Sequence, residues 1–478
     1  MKIETIRQLF RNFLSLGTSK IVTGFLYFLL TIYFARVLGV ENFGKYEFSI
    51  AFYVIFSLIS AFGLNKIGTR DIARINAGNP EMVKDYTNNL ISLRFAGSVI
   101  SFIALAIVAS IIPKPLDIKL LIILNGIAIL FSFMSLEWFF IGIERMKFVA
   151  YSRILKALAF LTFSVIFIRS SSSVLLVPAV RNAAVFFAIF LLVIIYVKKW
   201  GTLKFSFDYD KWKILIIKAY PILVAGIMTK IYLKFDAIMI GFLMGEKDVG
   251  LYVAVYRIVL FLIGMRALGI ASIFPALSRF AVESKEKLNE LVYLSEKLLI
   301  MIAIPIGVGG VILAFKIVPL IFGPAYMKGV AAFQVLIWAF VIMGINFVFP
   351  QLQIAMNNQK KYMYISIVGV LTNIVLNFVL IPIMGIAGAA IATVLAEVIT
   401  FIFFYWNAKK IIEIHLIRLI LKPLLASIIF AIPVFIFKDI NLCITISFGV
   451  ISYFALLLVF GYIKKGEFLT LVKVLKIK

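Results

Sequence analysis

The sequence predicts an all-α polytopic membrane protein with about fourteen transmembrane helices. Hydrophobic residues make up 63% of the 478 residues and charged residues only 15%, and the mean hydropathy is +1.10. Soluble domains are nearer half apolar and about a quarter charged. The apolar residues also form blocks of roughly 20 residues, the length that a helix needs to cross a bilayer without exposing backbone polar groups.

The apolar blocks follow one another along nearly the whole chain. The longest connection, Asn65 to Asn88, is too short for a separate folded domain, and the N-terminal basic stretch leads into a full-length span rather than a cleavable signal peptide. The only cysteine, Cys443, lies inside a predicted span, which excludes intramolecular disulfides. We predict spans at residues 14–38, 44–63, 89–112, 118–140, 154–168, 174–197, 214–243, 250–278, 291–322, 330–350, 362–381, 386–407, 416–437 and 443–463.

A net charge of +26 would suit a nucleic-acid partner, but membrane topology explains it better. With both termini cytoplasmic, roughly 27 Lys and Arg fall in inner loops and about 7 in outer loops, as the positive-inside rule requires. The sequence therefore predicts a multi-pass protein of the cytoplasmic membrane whose loops contact anionic headgroups, with no nucleic-acid partner.

An internal repeat divides the chain. The segment LGVENFGKY, from Leu38 to Tyr46, recurs as MGEKDVGLY, from Met244 to Tyr252, at an offset of 206 residues. A second similarity joins RMKFVAYSRIL, from Arg145, to KKYMYISIVGV, from Lys360. Six spans separate the copies, so the halves are parallel repeats with pseudo-two-fold symmetry, as in alternating-access transporters. We expect an N-terminal lobe at 1–205, a C-terminal lobe at 206–410, and two extra helices with a basic tail at 411–478.

Four stretches of the sequence resemble the multidrug/oligosaccharidyl-lipid/polysaccharide exporter superfamily, particularly its polysaccharide-transport branch, which includes the O-antigen flippases. They are ARVLGVENFGKYEFSIAF from Ala35, FDAIMIGFLMGEKDVGLYVAVYRI from Phe235, ASIFPALSRF from Ala271 and QKKYMYISIVGVLTNIVLNFVLIPIMGIAGAAIAT from Gln359. The resemblance covers the whole chain. It implies two six-helix lobes plus two C-terminal helices and a flippase for lipid-linked oligosaccharide.

Charges inside spans are costly and usually face a cavity or a partner. Lys230 and Arg266 lie near mid-span on neighbouring helices, and Lys234 shares a helical face with Lys230. Arg257 lies at about the depth of Asp236, which allows either a structural pair or a cationic cavity wall with one balancing carboxylate. Such a wall would bind the phosphate or pyrophosphate of a lipid-linked sugar.

Other charged residues in the spans have simpler explanations. Arg36 and Glu47 approach the outer ends of adjacent spans, which favours a local ion pair. Arg94 lies close enough to an inner end to reach the interface.

A second candidate site contains oxygen ligands. Asp236, Asn377 and Thr393 lie at similar predicted depth, and Asn373 shares a helical face with Asn377. One carboxylate with neutral oxygens suits a hard cation, although interhelical hydrogen bonding explains the amides equally well. The resemblance implies a sodium site at these four positions, as in lipid II flippases, with Asn377 where an acidic residue is usual.

Glu397, one turn beyond Thr393, is a mid-span carboxylate and a candidate for proton coupling. The sequence contains no other cofactor signal, so Na⁺ or H⁺ is the expected coupling ion. Membrane lipids and a lipid-linked sugar are the expected ligands, and glycosyltransferases and polymerases of the same pathway are further expected partners.

Two other functions fit the composition. A cation-coupled multidrug or organic-ion exporter of the same superfamily should present acidic and aromatic groups to its cavity, whereas the deep charges here are mainly basic. A membrane-embedded glycosyltransferase or ligase would need an acid/base or metal-binding constellation. The single histidine, His415, lies at an inner helix end, where an interfacial role is more consistent than catalysis.

Overall fold

The protein is helical throughout the part that the structure describes. The structure, a computed structural model, describes residues 3–79, 81–437 and 439–463, with side chains described outside 3–14, 229 and 266–272. The α-helices in these residues are α1 (Ile3–Ala61), α2 (Leu64–Gly78), α3 (Met82–Ile111), α4 (Leu116–Phe131), α5 (Glu137–Gly142), α6 (Met146–Phe167), α7 (Leu176–Trp200), α8 (Tyr209–Leu243), α9 (Glu246–Glu283), α10 (Lys285–Phe322), α11 (Val330–Ile345), α12 (Phe349–Ala355), α13 (Gln359–Lys409), α14 (Leu416–Ile436) and α15 (Leu442–Val459). Short 3₁₀ turns occupy Ser132–Met134, Ser171–Leu175 and Pro324–Gly329.

The spans agree with the all-α membrane prediction. By length and apolarity, 11 helical stretches of the described chain can cross a membrane, or 12 when the bent helix α8 is included. Helices α1 and α13 have 59 and 51 residues, about twice what one crossing needs. Each is divided by a glycine with positive φ, Gly39 at 75° and Gly385 at 60°. Counting each of these two helices as two spans gives the predicted fourteen.

Contacts divide the chain into two compact units, Met1–Arg257 and Ile258–Lys478. The first unit includes α8 and the start of α9, because α8 packs against α1 and α2. This division differs from the lobe boundary after residue 205 that the sequence predicts, and that boundary remains a prediction. All contacts described below lie within one unit or the other.

The two copies of the repeated turn meet inside the first unit. A Cβ atom on Gly44 would lie 1.7 Å from the carbonyl oxygen of Glu246, and one on Gly250 would lie 2.1 Å from that of Val40. Both pairs are related by the same offset of 206 residues, so the contact is reciprocal, as expected around a local two-fold axis. Only glycine permits backbones to approach so closely. The repeat detected in the sequence is therefore also an interface, and we call this side of the unit the Gly39 end.

The fourth span of each half is broken, and a buried charge from the third span stabilises each break. Arg94 of α3 donates to the carbonyl oxygens of Ser132 and Ser135, at 2.8 and 2.9 Å, between α4 and α5. Glu296 of α10 accepts the backbone N–H of Val348 at 3.0 Å, just before α12. The sequence suggested that Arg94 reaches the membrane interface, but its side chain is buried. It provides hydrogen-bond donors for two carbonyl groups that the break leaves without helical partners.

The connection from Asn65 to Asn88 contains a helix that sequence periodicity did not reveal. Gly63, with φ 72°, ends the preceding helix and lets α2 start in a new direction. The apolar face of α2, including Leu64, Ile67 and Ile72, packs in a core with Trp138 of α5. Its burial explains why a mainly polar segment is helical, since packing of one face outweighs weak intrinsic propensity.

Candidate functional site: a cationic cluster in the first unit

A buried carboxylate in the first unit holds two cations. Glu47 lies on α1 beyond the Gly39 kink, Lys234 on α8 and Arg257 on α9, each roughly 12–17 Å along its helix from the Gly39 end. Nη2 of Arg257 donates to both carboxylate oxygens of Glu47 at 3.0 Å, and Nζ of Lys234 lies 3.5 Å from Oε2. The partner of Glu47 is therefore on distant helices rather than on the preceding span, where the sequence suggested Arg36.

The cluster carries an excess positive charge. The Glu47 side chain is 4% exposed, whereas those of Lys234 and Arg257 are 16% and 30% exposed. Two cations, Lys234 and Arg257, share the one carboxylate of Glu47. Lys230 lies one turn before Lys234 on α8, is partly exposed, and forms no ion pair with the side chains described. A positive cluster that water can partly reach is suited to a phosphate-bearing ligand. Arg266, the fourth predicted cation, lies outside the described side chains.

Asp236 does not provide the balancing carboxylate that the sequence suggested for Arg257. Its Oδ2 accepts a hydrogen bond of 2.7 Å from the hydroxyl of Tyr252, the last residue of the second repeat copy. Both side chains are buried. The carboxylate that pairs with Arg257 is Glu47, and both interpretations, a structural pair and a cationic wall, stay open.

Sequence reasoning missed one further cation, Arg181 of α7. Its Nη1 donates to Oδ1 of Asn125 on α4 at 3.0 Å, and its guanidinium carbon lies 3.7 Å from the ring centroid of Tyr53 on α1. Arg181, Glu47 and Arg257 all lie within electrostatic range of the hydroxyl of Tyr46. The available signal was an arginine only seven residues inside the predicted span 174–197.

Other charged groups cross-link the Gly39 end. Lys114, between α3 and α4, donates to the carbonyl oxygen of Gly241 at 2.5 Å and pairs with Glu246 at 2.7 Å. Lys45 of α1 pairs with Asp117 of α4 at 2.8 Å. Because Glu246 also lies against Gly44, these bonds stabilise the reciprocal glycine contact.

Three of the predicted coupling-ion residues lie together in the second unit. Asn373 and Asn377 precede the Gly385 kink of α13, and Thr393 follows it. Nδ2 of Asn377 donates to Oδ1 of Asn373 at 3.1 Å, and Nδ2 of Asn373 donates to Oγ1 of Thr393 at 3.4 Å. This buried chain supplies neutral oxygen atoms and also bonds the two halves of α13, so both interpretations of the amides stay open.

Glu397 is also buried in the second unit, one turn beyond Thr393. Buried carboxylates in membrane spans are functional candidates because their charge is costly there. Among the described residues, no three His, Cys, Asp or Glu side chains come together as a metal-binding group.

An apolar cavity of about 420 Å³ lies in the second unit. Helices α9, α10, α11, α14 and α15 contribute to its lining, which contains Gly309, Gly310 and Gly449 and no charged residue. Its chemistry suits a hydrocarbon chain and excludes a phosphate or sugar.

Comparison with known proteins places these features in a family. A sequence profile described as "Polysaccharide biosynthesis protein" matches residues 9–281, more than half of the chain. The chain is 24% identical over 369 residues to a protein of Escherichia coli (strain K12) named "Putative O-antigen transporter", covering 76% of this chain and 88% of that protein. It is 22% identical over 281 residues to the "Probable low-salt glycan biosynthesis flippase Agl15" of Haloferax volcanii, covering 57% of each.

Two solved structures share the fold. The lipid II flippase MurJ, in an inward closed conformation, aligns with a TM-score of 0.73 at 16% identity, covering 94% of this chain and 98% of that one. An inward-facing multidrug resistance MATE family transporter of the MOP superfamily aligns with a TM-score of 0.65 at 17% identity, covering 81% and 94%. The profile match extends from α1 to α9 and includes both copies of the repeat. The chain therefore belongs to the polysaccharide biosynthesis protein family.

Proposed function

We propose that this protein is a flippase that moves a polyprenyl-phosphate- or pyrophosphate-linked oligosaccharide across the cytoplasmic membrane by alternating access. The observation that carries the proposal is the excess positive charge around Glu47, Lys234 and Arg257 inside membrane-spanning helices. A phosphate leaving bulk water needs cationic partners, and a guanidinium can bind two of its oxygens. The curated relatives above are named as a transporter and a flippase, which supports transport rather than glycosyl transfer.

The cluster would bind the head of the substrate while its lipid tail stays in hydrocarbon. Lys230, Lys234 and Arg257 are the head-group contacts that we propose, together with Arg266 from the sequence prediction. The apolar cavity of the second unit offers a surface to which isoprenoid chains could bind. Glu47 would limit the affinity of the cluster, which favours release on the far side of the membrane.

Ion coupling is a separate proposal. Asn373, Asn377 and Thr393 supply the neutral oxygens of a hard-cation site in the second unit, which supports Na⁺ coupling, and Asp236 remains the predicted carboxylate. Glu397 is the proposed group for H⁺ coupling. We further propose that both termini are cytoplasmic and that the flippase works with glycosyltransferases and polymerases of the same pathway, which supply and consume its substrate.

Reconstitution tests the function directly. Purified protein in liposomes should move a fluorescent polyprenyl-diphosphate-linked oligosaccharide from one leaflet to the other, as measured by accessibility to a membrane-impermeant quencher. Arg257→Ala should slow this movement at least tenfold. Arg153→Ala is a matched control, because Arg153 is paired with Glu137 outside the cluster. Transport of an organic cation without any flipping would instead support the multidrug-exporter alternative.

A further inference from the structure

We infer that Arg181 is a second anion-binding residue of the transport site, which binds the phosphate linkage between lipid and sugar. The inference rests on the proposed function and extends its site to α7, a helix on which the sequence predicted no functional residue. The observation behind it is a guanidinium inside the helix bundle that only neutral groups hold.

The position of Arg181 places its side chain among helices rather than toward lipid. Arg181 lies five residues after the first residue of α7, about 7–8 Å into the helix. Its two contacts come from α1 and α4, so three helices surround the guanidinium. A deep arginine that faced lipid would extend toward the interface instead.

The partners of Arg181 are neutral and held in place. Asn125 is fully buried, and its Nδ2 donates to Ser49 at 2.9 Å and to the carbonyl oxygen of Leu121 at 3.0 Å. Because both acceptors lie on that side of the amide, Oδ1 must face Arg181. The guanidinium also lies over the face of the Tyr53 ring in a cation–π contact, which orients the cation without neutralising its charge.

Arg181 has neutral partners, whereas Arg257 pairs with the carboxylate of Glu47, which offsets much of its charge. Among the described side chains no carboxylate pairs with Arg181, and the residue is partly exposed. A guanidinium has five N–H donors, of which Asn125 takes one. The remaining donors and the uncompensated charge are what bidentate binding of a phosphate requires.

Arg181 differs from the structural Arg94, which is buried and donates to two carbonyl oxygens, because Arg181 is partly exposed and donates one hydrogen bond, to Asn125. An unpaired charge inside a membrane protein is costly, and such residues generally mark a substrate or ion pathway. Arg181 and Arg257 both interact electrostatically with Tyr46 of α1.

Binding of inorganic pyrophosphate to the purified full-length protein tests the inference independently of transport. Titration calorimetry at constant ionic strength should show binding that Arg181→Ala weakens about 10- to 100-fold, the loss expected for charge-assisted hydrogen bonds. Arg181→Lys should lose less, because it keeps the charge but not the planar fork. The control Arg153→Ala should bind within about twofold of the parent protein.

Asn125→Asp tests the charge requirement, with thermal unfolding measured beside it because the change also removes the two hydrogen bonds that Nδ2 donates to Ser49 and Leu121. The change keeps the size of the side chain but places a carboxylate against Arg181, so it should weaken pyrophosphate binding about as much as Arg181→Ala while the protein still folds. Unchanged affinity in both variants would overturn the inference. Equal loss of thermal stability and no loss of affinity would show that Arg181 has a structural role only.

Two further measurements are needed. Competition with pyrophosphate distinguishes a membrane phospholipid from the lipid-linked oligosaccharide as the ligand, and flipping assays distinguish failure of this inference from failure of the proposed function. If phosphatidylglycerol in nanodiscs competes with pyrophosphate, and the lipid-linked oligosaccharide does not, Arg181 binds membrane lipid and the inference is wrong. If Arg181→Ala flips the labelled oligosaccharide normally, the inference fails and the proposed function stands. If the parent protein flips nothing but binds pyrophosphate through Arg181, the proposed function fails and the anion site stands.

Discussion

Replacing Gly44 with alanine should force apart the two copies of the repeated turn. The new Cβ would lie 1.7 Å from the carbonyl oxygen of Glu246, whereas ordinary contacts are 3.4 Å or longer. The neighbour is backbone, so the helices must separate by about 1.5–2 Å, and overpacking of this kind costs about 1–3 kcal/mol. In the alternating access that we propose, this contact opens, so Gly44→Ala should shift the population toward the state open at the Gly39 end by about 10- to 100-fold.

The assay is thermal unfolding combined with cysteine labelling. In a Cys443→Ser background, Val40→Cys should react faster with a membrane-impermeant maleimide when Gly44→Ala is present, and the thermal midpoint should fall. Gly24→Ala is the matched control on the same helix, because its Cβ would meet nothing within 4 Å. If Gly44→Ala and Gly24→Ala gave the same midpoint and the same labelling rate, the reciprocal contact would not constrain the conformation and the argument would be refuted.

Three further predictions concern buried charges. Glu47→Gln should lower stability by about 1–3 kcal/mol, measured as the unfolding midpoint, because two partly exposed cations lose their shared carboxylate; an unchanged midpoint would contradict the ion-pair geometry. Arg94→Leu should cost about 1–3 kcal/mol for each carbonyl left without a donor, and Arg94→Lys should recover part of this; equal midpoints for the two variants would refute the role of the forked guanidinium. Glu397→Gln should remove stimulation of flipping by a proton gradient, and retained stimulation would exclude Glu397 as the proton-coupling group.

Much of the fold follows from local sequence patterns. Membrane spans are long and uniformly apolar, so each block can be recognised without knowing its neighbours. The repeat is visible in the sequence because both copies keep glycine at the same place. The structure gives the reason: Gly39 and Gly245 both adopt positive φ, at 75° and 113°, which other residues rarely do. Helix α2 was missed among the long apolar blocks because it is short and mainly polar, although Leu64, Ile67 and Ile72 recur at helical spacing and pack against Trp138.

The candidate site was less accessible to sequence reasoning because its contacts are long-range. Glu47 and Arg257 are 210 residues apart, and depth along predicted spans does not identify which helix faces which. The same limit left Asp236 as a candidate partner of Arg257 and caused Arg181 to be overlooked. Asn373 and Asn377 were grouped correctly because i,i+4 spacing on one helix implies contact.

Substrate binding by the positive charges of these helices is tested most directly by the rate at which reconstituted protein flips a polyprenyl-diphosphate-linked oligosaccharide when those charges are removed. We expect Arg181→Ala and Arg257→Ala each to reduce the rate at least tenfold, and Arg153→Ala to leave it within about twofold. Flipping at the parent rate by the protein that lacks both Arg181 and Arg257 would show that the positive charge of these helices does not bind the substrate.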